Sequence, residues 1–261
     1  MEPFRFKYFS LQHHRSAMQL TTDSVLLGAW VWAEAAGGVT AGTTGAVAGT
    51  VVPQTVLDVG TGCGVLALMM AQRFEQACIH ALDIDGQSVS EARENADLSP
   101  WPERIRIVEG DFRQCLFSGP YDLVVTNPPY FRLALEPEQE RRARARHTGG
   151  GSLTHEELLQ GVVRVLAADG TFALILPAGQ EAGFLSVAIT GQNPLYPLRI
   201  TRVVTGKSSP AAGNVLPTRV LLELTKKQTT PRIETLFLYD ATEDKYSQQY
   251  INLVKDFYLW A

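Results

Sequence analysis

The stretch between residues 55 and 73 most constrains what this chain can fold into. Thr55-Val56-Leu57-Asp58-Val59 has the length and apolar character of a buried strand, and Gly60-Thr61-Gly62-Cys63-Gly64 follows it at once. An apolar stretch of helical character then occupies residues 65–73. A strand, a glycine turn and a helix in this order are typical of the opening of a Rossmann-like sheet, because glycines let the backbone approach a ligand that the helix N-terminus faces.

The spacing of the glycines indicates which ligand this turn takes. The dinucleotide fingerprint is G-x-G-x-x-G, and this chain has Val65 where the third glycine would fall. G-x-G-x-G behind Asp58 fits a ligand without a pyrophosphate, such as S-adenosylmethionine. We therefore expect Gly60, Gly62 and Gly64 to pass under the methionine part of this cofactor and Asp58 to help hold its charged end.

Acidic residues follow the next two predicted strands. Asp83 is placed to accept both ribose hydroxyls, as in the general Rossmann arrangement, whereas Asp85 is expected to cap the helix predicted over 87–98. In the alternative interpretation, both are caps. Asp111 and Phe112 come after the third strand, where they are expected to bond the adenine amine and to pack on the adenine face. The alternative there is a turn followed by a core phenylalanine.

The fourth predicted strand runs directly into Asn127-Pro128-Pro129-Tyr130. Each proline fixes its own φ and restricts the residue before it, so a stiff loop is expected at the sheet edge where open α/β sheets bind ligands. The Asn127 amide and the Pro128 carbonyl suit the two hydrogens of an exocyclic amine, and Tyr130 suits stacking on its ring. Two acceptors pull such a nitrogen toward a pyramidal, attacking geometry, and an amide does so without the desolvation cost of an anion. A plain proline-rich turn is the alternative.

Residues near the N-terminus have two possible roles. Thr22, Asp23 or Ser24 is suited to cap an apolar helix that continues to Val31. Thr22 and Asp23 could instead form a wall of the cofactor pocket, and the sequence leaves both roles open.

One basic run follows the proline-rich loop. The net charge of −4 argues against indiscriminate nucleic-acid binding, so a polyanionic substrate requires a local basic patch. The dense positive cluster of the chain supplies it and is expected to contact RNA; its members are Arg141, Arg142, Arg144 and Arg146. Glu138 and Glu140 precede two of these arginines by four residues, so a solvated helix face is the alternative.

The order of the elements predicts one domain, residues 1–261, with a Rossmann-like seven-stranded sheet, helices on both faces and an antiparallel last strand. An N-terminal strand and helix segment (1–36) precedes a flexible, glycine-rich and threonine-rich insertion (37–54), and the catalytic core and C-terminal elements occupy 55–261. A strand is expected over 4–9 at the N-terminal end, and a short strand over 233–239 and a terminal helix over 250–259 are expected in the tail. The predicted strands of the sheet lie at 55–59, 77–82, 105–109, 121–126, 170–176, 199–205 and 219–224.

The composition excludes several other classes. With 45% hydrophobic and 19% charged residues, the chain has the balance of a globular domain. No apolar run approaches membrane-spanning length, and the start is not a signal peptide. Cys63, Cys78 and Cys115 have no paired spacing, so neither a disulfide framework nor a zinc site is expected. We expect a cytoplasmic monomer without a metal and without a membrane partner.

Four motifs of this chain, in their order, resemble those of the Rossmann-like S-adenosylmethionine-dependent amino-methyltransferases. They are the glycine turn, Asp83, Gly110-Asp111-Phe112 and Asn127-Pro128-Pro129-Tyr130. The chain is most similar to the bacterial family that methylates N6 of an adenosine just 3′ of the anticodon in a valine tRNA. Residues 37–50 depart from that family as an added segment. The segments that carry the closer resemblance are Phe4-Arg5-Phe6-Lys7, Phe9, Gln12, Ala17-Met18, Thr22-Asp23, Leu26-Leu27-Gly28-Ala29-Trp30, Arg144-Ala145-Arg146-His147, Arg219-Val220-Leu221-Leu222-Glu223 and Lys255-Asp256-Phe257-Tyr258-Leu259.

The resemblance implies direct methyl transfer to a splayed-out adenosine of a tRNA, with Asn127, Pro128 and Tyr130 as the catalytic residues. Three alternatives stay open. Glutamine methyltransferases of release factors share the Asn-Pro-Pro-Tyr chemistry but carry a helical recognition domain that this chain lacks, and a DNA adenine methyltransferase would need a target-reading domain. A non-enzymatic RNA-binding protein that retains the fold is the third.

Overall fold

The computed structural model describes residues 2–17, 19–32, 52–114, 119–128, 153–206, 216–240 and 245–261. Several residues singled out by the sequence lie outside these ranges: Tyr130, Cys115, the insertion 37–50 and the four arginines Arg141, Arg142, Arg144 and Arg146. Within the described part, no helix is both long enough and apolar enough to span a bilayer.

Ten strands and six α-helices make up the described part of the chain. The strands are β1 (Phe4–Arg5), β2 (Ser10–Leu11), β3 (Thr55–Val59), β4 (Cys78–Asp83), β5 (Ile105–Glu109), β6 (Tyr121–Thr126), β7 (Leu166–Pro177), β8 (Tyr196–Val204), β9 (Arg219–Thr225) and β10 (Arg232–Phe237). The helices are α1 (Thr22–Trp30), α2 (Val65–Arg73), α3 (Gly86–Asp97), α4 (His155–Val165), α5 (Glu181–Thr190) and α6 (Gln248–Val254).

The central sheet has the order β10-β8-β9-β7-β6-β3-β4-β5. Strand β9 is antiparallel to both of its neighbours, and every other pair in the sheet is parallel. The Rossmann-like architecture and the antiparallel strand at 219–224 are therefore confirmed. The count of seven strands was wrong, because β10 adds an eighth by pairing in parallel with β8. The charged residues of β10 alternate along the strand, as is typical of an edge strand that has one neighbour. This pattern does not indicate that the strand joins the central sheet.

Two clusters of apolar side chains pack on opposite faces of this sheet. Neighbouring strand residues alternate between them, so Val56 joins the first cluster and Leu57 the second. Helices α1, α2, α3 and α6 and the β1–β2 hairpin cover the first face, whereas α4 and α5 cover the second. The prediction of helices on both faces is confirmed, and the carboxyl ends of β3, β4 and β6 stay available for a site.

Both chain ends differ in detail from the predictions. Residues 4–9, expected as one strand, contribute only β1 to a short antiparallel hairpin with β2. The terminal helix, expected over 250–259, begins at Gln248 and ends at Val254. The aromatic rings of the two ends stack on each other, with Phe6 and Tyr258 at 5.9 Å between ring centroids. Ring packing thus joins the two ends of the chain.

Candidate active site

The carboxyl ends of β3 and β6 and the start of α1 enclose one cavity. The cavity is partly open to solvent. The site residues predicted from the sequence that line it are Gly60, Gly62 and Asn127. The remaining lining residues are Gln19, Ser24, Thr61, Cys63, Val65 and Leu66.

The glycine turn adopts a backbone that other residues rarely reach. Gly60, Gly62 and Gly64 have φ values of +72°, +54° and +87°. A Cβ on Gly60 would meet no atom within 4 Å, whereas a Cβ on Gly64 would lie 3.2 Å from Ala92 Cβ. Gly60 therefore leaves room on the side of the cavity, and Gly64 permits the close packing of α2 against α3.

The Asp58 side chain joins this turn to the start of α2 by hydrogen bonds. Its Oδ2 accepts hydrogen bonds from Thr61 Oγ1 at 2.6 Å and from the Ala67 backbone N–H at 3.1 Å. Its Oδ1 is buried and has no hydrogen-bond partner among the described residues. Burial raises the pKa of Asp58 to about 7. An unsatisfied buried acceptor of this kind is costly in the free protein. Asp58 does not itself line the cavity, so its contact with the charged end of a cofactor stays a prediction.

Asp83 lies at the end of β4 beside the same turn. Its two carboxylate oxygens accept from the backbone N–H groups of Gly62 at 2.8 Å and of Asp85 at 3.0 Å. Each oxygen keeps lone-pair capacity for a further donor, as a diol would require. Burial raises the pKa of Asp83 above its usual value. Asp85 caps α3 by accepting from Ser88 N–H at 2.8 Å, so the prediction for Asp85 is confirmed.

Asn127 is buried directly after β6, and its side-chain amide is oriented by α1. Its Nδ2 donates to Ser24 Oγ at 2.8 Å. The preceding Thr126 donates from Oγ1 to the Val59 carbonyl at 2.7 Å, which ties the end of β6 to the end of β3. Because the amide nitrogen is engaged by Ser24, Oδ1 is the atom of Asn127 that is left to accept from a ligand. Pro128 is buried next to it.

The start of α1 differs from the prediction. Thr21, not Thr22, Asp23 or Ser24, is the N-cap and accepts from Ser24 N–H. Thr21 is preferred because its extended backbone turns its hydroxyl toward the free N–H groups of the first turn. Thr22 is exposed, and Asp23 forms an ion pair with Arg219 at 2.8 Å. Neither lines the cavity, so their pocket-wall role stays a prediction.

Asp111 and Phe112 lie at the end of β5 in defined surroundings. The Asp111 carboxylate accepts from the Arg113 guanidinium through both oxygens, at 2.9 Å from Nε and 2.6 Å from Nη2. These hydrogen bonds hold the pKa of Asp111 below its usual value. The Phe112 ring is buried against Gly161 of α4, and Phe112 O accepts from Arg164. The adenine-binding roles of both residues stay predictions.

A short segment before α1, to which the sequence assigned no structural role, supports the cavity wall. Residues 12–17 lie along α3, where the buried Glu91 carboxylate accepts from three successive backbone N–H groups, those of His14, Arg15 and Ser16, at 2.9–3.0 Å. Asn95 bonds both the N–H and the carbonyl of Gln12. The segment leads to Gln19, which lines the cavity. The sequence has no local signal for this arrangement, since a glutamate on a helix is most often exposed.

The sheet and its glycine turn, acidic strand end and buried amide define a Rossmann-like methyltransferase. The side chains fit S-adenosylmethionine, since Asp58 Oδ1 is a buried acceptor without a partner among the described residues and the space beside Gly60 is open. Within the described ranges, no three His, Cys, Asp or Glu side chains converge as a metal site requires.

Comparisons with known proteins identify the family. The methyltransferase small domain family matches residues 46–181. A tRNA1(Val) (adenine(37)-N6)-methyltransferase of Bacteroides fragilis is 37% identical over 98% of this chain and 97% of its own length. One of the same name from Tolumonas auensis is 37% identical over 98% and 96%. The chain belongs to this family of methyltransferases, which confirms the resemblance drawn from the sequence.

A solved structure supports the fold independently. The chain is similar to a "predicted O-methyltransferase" from Agrobacterium tumefaciens, with a TM-score of 0.60 and 17% identity. The match covers 90% of this chain and 96% of that one. At this identity the similarity concerns the fold and leaves the substrate open.

Proposed function

We propose that this protein transfers a methyl group from S-adenosylmethionine to N6 of an adenosine in the anticodon loop of a valine tRNA. The names of relatives that are 37% identical over nearly the whole chain support this substrate. The observation that carries the chemistry is the Asn127 amide, which lines the same cavity as Gly60 and Gly62 with its nitrogen engaged by Ser24. An acceptor is thereby presented beside the cofactor turn.

The proposed cofactor site combines the turn with the acidic strand ends. S-adenosylmethionine supplies an electrophilic methyl group when it is bound. Gly60, Gly62 and Gly64 shape the turn, Asp58 faces cationic charge and Asp83 accepts from hydroxyl groups, in keeping with the oxygens they leave available. The remaining residues proposed for this site are Thr22, Asp23, Asp111 and Phe112, together with Asn127, which borders the cofactor and contributes little to its affinity.

The proposed substrate is an amine on an aromatic ring, whose nitrogen lone pair is delocalised into that ring. Asn127 Oδ1 and the Pro128 carbonyl accept its two hydrogens and favour a pyramidal nitrogen, while Tyr130 stacks on the base. Such positioning alone contributes several kcal/mol to a reaction between two held groups, on the order of 7 in favourable cases. The nitrogen loses one proton to water for the methyl group that it gains.

The tRNA is proposed to reach this site by local charge. The chain carries a net charge of −4, so attraction of a polyanion depends on a local patch such as Arg141, Arg142, Arg144 and Arg146. The target base has to leave its stack to enter a cavity at the end of a sheet. Phosphate contacts of the basic run would hold the anticodon loop in register while it does so.

Mass spectrometry of nucleosides tests this function. The purified protein is incubated with total tRNA and S-adenosylmethionine that carries an isotopically labelled methyl group. The expected product is labelled N6-methyladenosine, found in valine tRNA after oligonucleotide mapping. Label in protein glutamine, in DNA or in no product at all would contradict the proposal. Asn127→Ala is the matched variant, since it should bind the cofactor and give at least about 100-fold less labelled nucleoside.

A further inference from the structure

Ser24 lies in the first turn of α1 and faces Asn127 across 103 residues of sequence. Asn127 Nδ2 donates to Ser24 Oγ at 2.8 Å, and both side chains are buried. Ser24 Oγ also lies 3.3 Å from Thr21 Oγ1. Because Ser24 Oγ accepts from Asn127, its own proton is available for Thr21, so the three side chains form one chain of hydrogen bonds.

The direction of the Asn127 amide matters because its two ends have opposite chemistry. Oδ1 accepts hydrogen bonds and Nδ2 donates them, yet the two groups have almost the same size. A half-turn of the amide would present N–H groups to an amine, and two donors repel each other. Nothing in the shape of the cavity distinguishes the two orientations, so a polar neighbour has to do so.

We infer that Ser24 is a positioning residue that fixes the Asn127 amide with Oδ1 toward the substrate amine. This inference rests on the proposed methyl transfer. Without the Ser24 hydroxyl, this N–H of the amide loses its partner. No neighbour then distinguishes the two ends of the amide, its nitrogen can face the substrate amine, and the productive orientation falls about tenfold, equivalent to about 1.4 kcal/mol.

Kinetics of Ser24→Ala provide the first test, with Ser99→Ala as the matched control. Ser99 is also a buried serine, and its hydroxyl donates to the Ala96 carbonyl at 2.7 Å, away from the cavity. We expect kcat/KM for tRNA to fall about tenfold in Ser24→Ala and to stay unchanged in Ser99→Ala. The two variants should have the same cofactor affinity, measured by calorimetry, and the same Tm. Equal kcat/KM in the two variants, or a matching loss of cofactor affinity in Ser24→Ala, would overturn the inference.

A second readout is independent of activity. The side-chain amide protons of Asn127 are assigned in the ligand-free protein by NMR, through their absence from the Asn127→Asp spectrum. Ser24→Ala should move these signals toward those of a solvated amide and speed their exchange with water, whereas Ser99→Ala should leave them in place. Unchanged signals in Ser24→Ala would overturn the inference. If the unsubstituted protein fails to methylate tRNA, the proposed function falls, and these signals still decide whether Ser24 holds Asn127.

Discussion

Glu91 offers the sharpest test of how the N-terminal segment is held beside the site. Its side chain is fully buried, and its carboxylate accepts from the backbone N–H groups of His14, Arg15 and Ser16 and from the Ser16 hydroxyl. Burial works against the charge, but these hydrogen bonds outweigh it and hold the pKa of Glu91 below its usual value. Glu91→Gln keeps the volume and replaces one acceptor oxygen with a donor.

The magnitude follows from the contacts that the amide cannot make. In either orientation of the new side chain, at least one backbone N–H faces an NH2 group and loses its partner. A buried donor without a partner costs about 1–3 kcal/mol, and the remaining bonds lose the strength that the charge gave them. We expect the free energy of unfolding to fall by about 2–3 kcal/mol, which corresponds to a Tm lower by about 4–12 °C for a chain of this size.

Urea unfolding of Glu91→Gln and Glu94→Gln measures this difference. Glu94 lies one turn further along α3, and its half-exposed carboxylate pairs with Arg15, so its loss should cost less than about 1 kcal/mol. Hydrogen exchange should speed up at the amides of 14–16 in the first variant only. The difference in the free energy of unfolding between Glu91→Gln and the unsubstituted protein should become smaller as pH falls below about 4. At that pH the stabilising carboxylate of Glu91 is protonated. Equal midpoints for the two variants would refute the reasoning.

Three further predictions concern the cavity itself. Asn127→Ala should lower turnover by at least about 100-fold and leave cofactor affinity in calorimetry nearly intact; unchanged turnover would remove Asn127 from the chemistry. Burial raises the pKa of Asp58 from 3.8 to about 7, so the folded state keeps a proton that the unfolded state releases. The ligand-free protein should therefore lose stability as pH rises through that window, and Asp58→Asn should lack this slope; superimposable pH profiles would contradict it. Gly64→Ala should lower Tm more than Gly60→Ala, because only its Cβ meets a neighbour at 3.2 Å, whereas Gly60→Ala should weaken cofactor binding more; the reverse ranking would count against the assignment.

Local chemistry made much of the sheet and of the glycine turn predictable. An apolar stretch that runs into glycines predicts a strand and a tight turn from local sequence alone. The turn needs positive φ angles at Gly60 and Gly64, and glycine is the residue that adopts them readily. Asp85 as a cap has the same local character. Strand β10 was harder to place, because the sequence of an edge strand does not show which strand it will pair with.

The contacts that shape the cavity wall could not be predicted in this way. Ser24 and Asn127 are distant in sequence, and their meeting depends on where α1 packs on the sheet. Glu91 has the appearance of a solvated helix residue until residues 12–17 cover it. Gln19 lines the cavity only because that segment ends beside it. In each case one partner is a polar residue whose role is set by tertiary structure, which local propensity does not encode.

Helix α1 is held at both ends, and this explains how one hydroxyl keeps its place beside Asn127. At its C-terminal end, Arg199 donates to the Trp30 carbonyl at 2.9 Å and stacks on the Trp30 ring, while Glu223 accepts from Arg199 at 3.0 Å. A buried ion pair of this kind adds little net stability, because the desolvation of both charges offsets their attraction. Its directional bonds do restrict where the helix can lie on β8 and β9. The Asp23–Arg219 ion pair ties the other end of α1 to β9. Contacts to the sheet at both ends restrict the rotation of the helix about its axis, and in this orientation Ser24 faces the end of β6.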